Sequence, residues 1–263
     1  MSYIAPVTKI LRYPETLERL QCGANVTPLH VEMDLSGVCN LGCGWCRFGD
    51  GRQGGALMDE QLIYDTIDQL AELGVEAVTF SGGGEPTMHP LFAEACEYAH
   101  NEGLKVGVYS NGVNRERLAA AAPWCEWIYI SLDAADAASY EHVKGRDQFD
   151  QVCGTIVALS RCTRTLGVGF LLTGENYAQT QEMYRLGHGL GADYVQFRPV
   201  AGLDDYRWVE DALYFIGQLW SFPDVIHSPD RFLQLAEPYE RGYTVCRAAR
   251  IGPCIGAAGD VWA

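Results

Sequence analysis

Leu29-His30-Val31-Glu32-Met33-Asp34-Leu35 runs directly into Ser36-Gly37-Val38-Cys39-Asn40-Leu41-Gly42-Cys43-Gly44-Trp45-Cys46-Arg47-Phe48. The first part is a short apolar run of strand length. The second is a glycine-laced loop at its C-terminal end. Outward from this junction the same design recurs. Ala77-Val78-Thr79-Phe80 closes on Ser81-Gly82-Gly83-Gly84, and Val106-Gly107-Val108-Tyr109 closes on Ser110-Asn111. Trp127-Ile128-Tyr129-Ile130-Ser131-Leu132-Asp133, Val168-Gly169-Phe170-Leu171-Leu172-Thr173 and Tyr194-Val195-Gln196-Phe197-Arg198 follow. Most of these runs are dense in β-branched and aromatic residues, as buried strands should be.

Helical patterns fill the gaps. Asp59 can cap a segment that carries Leu62, Ile63, Ile67, Leu70 and Leu73 at helical spacing, and Gly74 ends it. Pro90 to Asn101, with Gly103 following, repeats the design, as do segments near 115–121, 148–162 and 178–190. Strands alternating with helices imply a parallel sheet with right-handed crossovers. The expected fold is α/β: a partial (β/α)6 barrel of the TIM type over residues 29–200, open on one side. Residues 1–28 read as an N-terminal extension with a helix around Glu15–Leu20. Residues 201–263 read as a C-terminal extension with a helix around Val209–Leu219.

Composition narrows the function. Hydrophobic residues make up 48% and charged residues 20% of 263, enough for a large core. No apolar run is long enough to span a membrane, and the N-terminus lacks a secretion signal. The expected location is the cytoplasm, where thiols stay reduced. Ten cysteines there suggest metal or catalytic chemistry rather than disulfides. Nineteen basic residues among 34 acidic ones give a net charge of −15 and disfavour a nucleic-acid partner. An acidic surface suits solubility, and would also draw in cationic ligands and basic electron donors.

Cys39, Cys43 and Cys46 place three thiols on one tight loop, and Gly42 and Gly44 give it freedom to wrap a metal group. Four thiolates usually hold a four-iron cube, so three leave one iron open to a small ligand. A structural zinc brace would need a fourth ligand, and no second Cys-x-x-Cys occurs.

Cys39-x3-Cys43-x2-Cys46, with Trp45 before the third cysteine, resembles the signature of the radical S-adenosylmethionine (radical SAM) superfamily. Ser81-Gly82-Gly83-Gly84-Glu85-Pro86 resembles the glycine-glycine-glutamate motif of the same family. The resemblance covers about residues 29–200. It implies a [4Fe-4S] cluster on the three cysteines and S-adenosylmethionine on the open iron. It also implies reductive cleavage of that cofactor to a 5′-deoxyadenosyl radical, which takes a hydrogen atom from a substrate. A reductase such as a flavodoxin or ferredoxin would supply the electron. Backbone at Gly83 and Gly84, with Glu85, would hold the amino end of the cofactor. Ser110, Asn111, Ser131 and Asp133 lie at strand ends that often touch it, and Arg198 could pair with its carboxylate.

Cys246 and Cys254 flank a glycine- and proline-bearing segment that resembles the start of a SPASM or twitch extension. That resemblance implies an auxiliary Fe–S cluster, but two cysteines cannot complete a four-thiolate site. The other role open to them is hydrogen-atom donation to a substrate radical. Asp204, Asp205, Tyr206, Trp208, Glu210, Asp211, Tyr214 and Trp220 combine carboxylates with aromatic platforms, which suits an amino sugar. The expected substrate is therefore a small polar natural product, sugar- or aminoglycoside-like, that is epimerised or dehydrogenated, as in antibiotic biosynthesis. The alternatives are a SPASM-type peptide-modifying enzyme and an activating protein that installs a radical on a partner. The first normally carries a peptide-recognition domain ahead of the barrel, and only about 28 residues precede the first strand here.

Overall fold

The computed structural model describes residues 10–46, 48, 55–236 and 244–262. In chain order the elements are α1 (Pro14–Gln21), β1 (His30–Asp34), α2 (Glu60–Glu72), β2 (Ala77–Ser81), α3 (Phe92–Asn101), β3 (Lys105–Ser110), α4 (Arg115–Ala121), β4 (Cys125–Ser131) and α5 (Ala137–Lys144). Then come α6 (Phe149–Leu159), β5 (Leu166–Leu172), α7 (Thr180–Gly189), β6 (Tyr194–Pro199), α8 (Val209–Gly217), β7 (Val225–Ile226), α9 (Pro229–Ala236), β8 (Cys254–Ile255) and β9 (Val261–Trp262).

All these strands form one sheet, in the order β7-β6-β5-β4-β3-β2-β1-β8-β9. Neighbours pair in parallel except β8 with β9. The six expected strands form the centre, each beside the next, as short right-handed crossovers require. The tail lengthens the sheet at both edges: β7 adds to β6, and β8 adds to β1. These two-residue strands carry no periodicity for a sequence reading to find. Residues 201–263 thus return to the barrel at both of its edges.

Alternation divides each strand. Val31 and Met33, Val78 and Phe80, Val106 and Val108, Ile128 and Ile130 are buried among helix residues such as Ile63, Phe92 and Ile156. Glu32, Asp34, Tyr109, Tyr129 and Arg198 take the opposite face, inside the curve of the sheet. There the Tyr109 ring packs edge-on against Trp127 and Tyr129, with centroids 4.9 and 5.0 Å away. Tyr129 has room only because residue 169 is glycine; a side chain there would overlap its ring.

Local signals mark some helix ends. Asp59 accepts the Gln61 N–H and starts α2. Asp136 accepts the Ser139 N–H and starts α5, a helix of two turns that the sequence reading passed over. The chain termini clasp each other. Arg247 donates to the carbonyls of Leu20 and Gln21 at the end of α1, where cations are favoured. The N–H groups of Leu29 and Glu32 donate to Ile251 and Pro253. No helix among the described residues is long and apolar enough to cross a membrane.

Candidate active site

The chain leaving β1 and the chain leaving β2 continue side by side past the sheet. Gly83 N–H donates to Asp34 Oδ2 at 3.0 Å. Gly84 N–H donates to the Ser36 carbonyl at 3.1 Å and Glu85 N–H to the Val38 carbonyl at 2.8 Å. Close approach demands glycine at 84, because a side chain would overlap the Ser36 and Val38 carbonyls. The glycine motif is therefore the bed on which the cysteine loop begins.

Glu85 serves this bed differently from the sequence expectation. Its side chain is buried, and both oxygens are taken. Oε1 accepts Thr87 N–H, Thr87 Oγ1–H and Ser110 Oγ–H, and Oε2 accepts Asn111 N–H at 2.7 Å. Burial pushes the carboxyl up from its ordinary range, and these donors pull it back. Glu85 ties β2 to the end of β3, and Ser110 is consumed in the same tie. Asn111 carries it onward: its side-chain amide donates to Asn40 Oδ1 at 2.7 Å and reaches Cys39 Sγ at 3.9 Å.

The far side of the cysteine loop rests on α5. Gly42 N–H donates to the Lys144 carbonyl at 2.9 Å, Gly44 N–H to the Val143 carbonyl at 3.3 Å, and Cys46 N–H to the Cys43 carbonyl at 3.2 Å. Cys39, Cys43, Trp45 and Cys46 are all half-buried. Burial pushes the Cys43 thiol up, the Lys144 charge pulls it down, and Asp133, Cys39 and Cys46 push it up again.

A family model, described as the radical SAM superfamily, matches residues 33–187. The chain belongs to the radical SAM superfamily. Mycofactocin maturase MftC of Mycolicibacterium smegmatis is 28% identical over 273 residues, covering 98% of this chain and 69% of that protein. The antilisterial bacteriocin subtilosin biosynthesis protein AlbA of Bacillus subtilis is 28% identical over 70% of this chain and 40% of its own length. Streptococcus suis SuiB bound to precursor peptide SuiA shares the fold, with a TM-score of 0.73 and 16% identity. That likeness covers 99% of this chain, which spans 65% of the SuiB chain.

This radical SAM enzyme works with a [4Fe-4S] cluster and S-adenosylmethionine. The cysteine loop suits the cluster. Among the described residues no three His, Cys, Asp or Glu side chains converge on a point, as one ion requires. A cube offers each thiolate its own iron, so its ligands stand around a volume instead.

The other expected contacts fall into different settings. Asp133 takes a left-handed backbone, φ 64°, and is buried. Its carboxylate accepts Lys144 Nζ–H on one oxygen and Leu171 N–H on the other, so Asp133 is an internal brace. Arg198 lies over the Tyr109 and Tyr129 rings, 5.6 and 5.0 Å from their centroids, and donates to Tyr129 Oη. It is packed as a cation on an aromatic floor. Ser131 ends β4 half-buried.

Cys246 and Cys254 are parted by their surroundings. Cys246 is exposed, whereas Cys254 sits on β8 beside β1. The Cys254 thiol donates to Asp34 Oδ1 at 3.8 Å, on the carboxylate that also holds Gly83. Burial and the neighbouring Asp34 and Glu32 push it up to about 12.

The sequence reading missed Asp34, Asn40 and Lys144. Asp34 ends an apolar run that carries polar residues at alternate positions, and this signal was available. Lys144 follows no local motif, and only the fold brings it to the loop.

Proposed function

We propose that this enzyme modifies a ribosomally made peptide. The observation that carries this is the reach of the likeness to the mycofactocin maturase, 98% of the chain. It runs well beyond the 33–187 core, through both terminal segments that clasp each other. Relatives named for small molecules cover less of the chain, 63% for the AdoMet-dependent heme synthase of Methanosarcina barkeri. The S-adenosylmethionine-dependent nucleotide dehydratase of Flammeovirga pacifica covers 49% of the chain. A bacteriocin biosynthesis protein and a fold neighbour solved with a precursor peptide support the same reading. This replaces the amino sugar as the preferred substrate. Of the residues that suggested a sugar platform, Trp208 is buried with its indole N–H on the Asp205 carbonyl, and Asp205 pairs with Arg207.

In this reading Cys39, Cys43 and Cys46 hold the cluster. The bound cofactor pair supplies a 5′-deoxyadenosyl radical for hydrogen abstraction. An ammonium donates hydrogen bonds, so it needs acceptors. The N–H groups of Gly83 and Gly84 already point at Asp34 and Ser36. Carbonyl oxygens of the Gly82–Gly84 turn are then the main-chain groups that would receive the amino end. Trp45 and Ser131 are its other contacts. Cys254, beside Glu32 and Asp34 on the sheet, would in this reading meet a substrate or an auxiliary cluster. A low-potential flavodoxin or ferredoxin in a reducing cytoplasm suits ten free thiols.

The test uses anaerobically reconstituted enzyme with S-adenosylmethionine and dithionite. Short peptides encoded beside its gene compete against a panel of amino sugars. We expect peptide-dependent 5′-deoxyadenosine and a mass change in the peptide. Turnover with amino sugars alone would overturn the assignment.

A further inference from the structure

We propose that Arg198 anchors a carboxylate of the peptide substrate inside the curve of the sheet. The inference deepens the peptide reading and rests on it.

Arg198 is a cation without a counter-charge. Among the described residues no carboxylate lies within ion-pair reach of its guanidinium. The acids nearby are engaged or too far. Asp133 is held by Lys144 and the Leu171 N–H, and Asp34 by the Gly83 N–H and the Cys254 thiol. Glu32 on β1 feels the Arg198 charge without bonding to it. A charge drawn partly out of water is unfavourable unless something pairs with it.

The three guanidinium nitrogens show where a partner would go. Nε is closed off with no acceptor. Nη2 donates to Tyr129 Oη at 3.1 Å. Nη1 has no protein acceptor and is not closed off, and the residue as a whole is only half-buried. The group lies over the Tyr109 and Tyr129 rings, whose centroids are 5.6 and 5.0 Å away. Rings and phenol fix its position, and the Nη edge is left for a ligand. That edge is a fork that matches a carboxylate with two parallel hydrogen bonds. In an unmodified peptide at neutral pH, only the C-terminus and the side chains of Asp and Glu carry that charge.

Position favours the substrate over the cofactor. The amino and carboxylate groups of S-adenosylmethionine share one carbon. With the amino end at the Gly82–Gly84 turn, the carboxylate stays beside the end of β2. Arg198 stands on β6, four strands from β2 in the sheet. Its aromatic floor also lies before the turn: Tyr109 pairs with Tyr129, and Val108 pairs with Phe80 on β2.

The experiment is anaerobic isothermal titration of reconstituted holoenzyme with peptides encoded beside its gene. Each peptide is made with a free and an amidated C-terminus, and with each Asp or Glu changed in turn to its amide. Neutralising the anchored carboxylate should weaken binding to wild type about thirtyfold, the scale of a charge-assisted pair. Arg198→Gln should bind the native peptide about thirtyfold more weakly and lose almost nothing further on neutralisation. Arg198→Lys keeps the charge without the fork and should fall between. Should Arg198→Gln fail to fold, the lysine variant carries the same comparison. Affinity for S-adenosylmethionine should stay within about twofold. A carboxylate effect of full size in the Arg198 variants would make the residue merely structural and overturn the proposal. A loss of cofactor affinity of about tenfold, with peptide binding unchanged, would give Arg198 to the cofactor and overturn it too. If no such peptide binds wild type, the peptide reading fails. Titration with N-acetylphenylalanine and its amide then tests the anchor alone, and absence of a preference for the carboxylate overturns it.

Discussion

Two of the cysteine-bearing regions, the loop after β1 and the tail, have surroundings that make them different chemical objects. Around Cys39, Cys43 and Cys46 the described residues are tied down on three sides. The glycine bed lies on one side, the Glu85–Asn111 tie on another, and the end of α5 on the third. Around Cys246 and Cys254 the chain is held by two-residue strands and a terminal clasp. One thiol is in solvent, and the other is half-buried beside two carboxylates. Ligand sets for a metal group need preorganised positions, whereas a lone thiol is governed by its local field. Asp34 joins the regions, accepting Gly83 N–H on one oxygen and the Cys254 thiol on the other.

The sharpest break between the regions should come from Cys43→Ala. It removes one of the three proposed cluster ligands, so 5′-deoxyadenosine formation should drop to background while far-UV circular dichroism stays native. Cys254→Ala should leave that formation intact and divert or block the final product. Normal turnover by Cys254→Ala would make the tail thiol a bystander.

Thiol chemistry offers the next contrast. The thiolate is the nucleophile, and Cys254 is pushed up to about 12. At pH 8 iodoacetamide should label it roughly a thousandfold more slowly than an ordinary exposed thiol of pKa about 8.5. Its rate should climb about tenfold per pH unit, because each unit raises the thiolate fraction tenfold below the pKa. Exposed Cys246 should label readily at pH 8. Peptide mass spectrometry after timed alkylation reads both, and equal rates would mean that the Asp34 pocket does not exist.

Smaller effects probe the flanks of the cysteine loop. Lys144→Met strands a buried carboxylate and should cost about 3–5 kcal/mol in anaerobic denaturant unfolding. Asp133→Asn in the same chain should restore most of it, since an amide carries no charge to strand. Glu85→Gln keeps the shape but opposes an NH2 to the donors on one side. It should cost about 1–3 kcal/mol and lower iron content through the Asn111 contact. A Glu85→Gln protein that keeps wild-type stability would argue that the tie between β2 and β3 is idle.

The strand–helix alternation was legible because apolar period and turn chemistry are local. Val78 and Phe80 announce a strand, and Gly82 to Gly84 announce its end. Cys39, Cys43 and Cys46 were legible as a set because one short loop carries all three. Glu85 was legible as important but not in its role, since its partners Ser110 and Asn111 lie 25 and 26 residues away. Lys144 was silent. It ends a two-turn helix whose pattern is ordinary, and nothing in its own segment refers to the cysteine loop. Trp208 misled, because an aromatic among acids reads as a platform until packing shows it buried.

By itself the sequence determined the order of the six central strands and most of the helices between them, the thiol trio and its glycine-rich companion. Each depends on residues within a turn or two of one another, where spacing alone constrains geometry. The tertiary structure alone decided which carboxylates face inward, which are braced, and which helix end supports the cysteine loop. Those outcomes depend on crossovers that bring distant segments within hydrogen-bond reach. Burial then removes the water that would otherwise screen their charges.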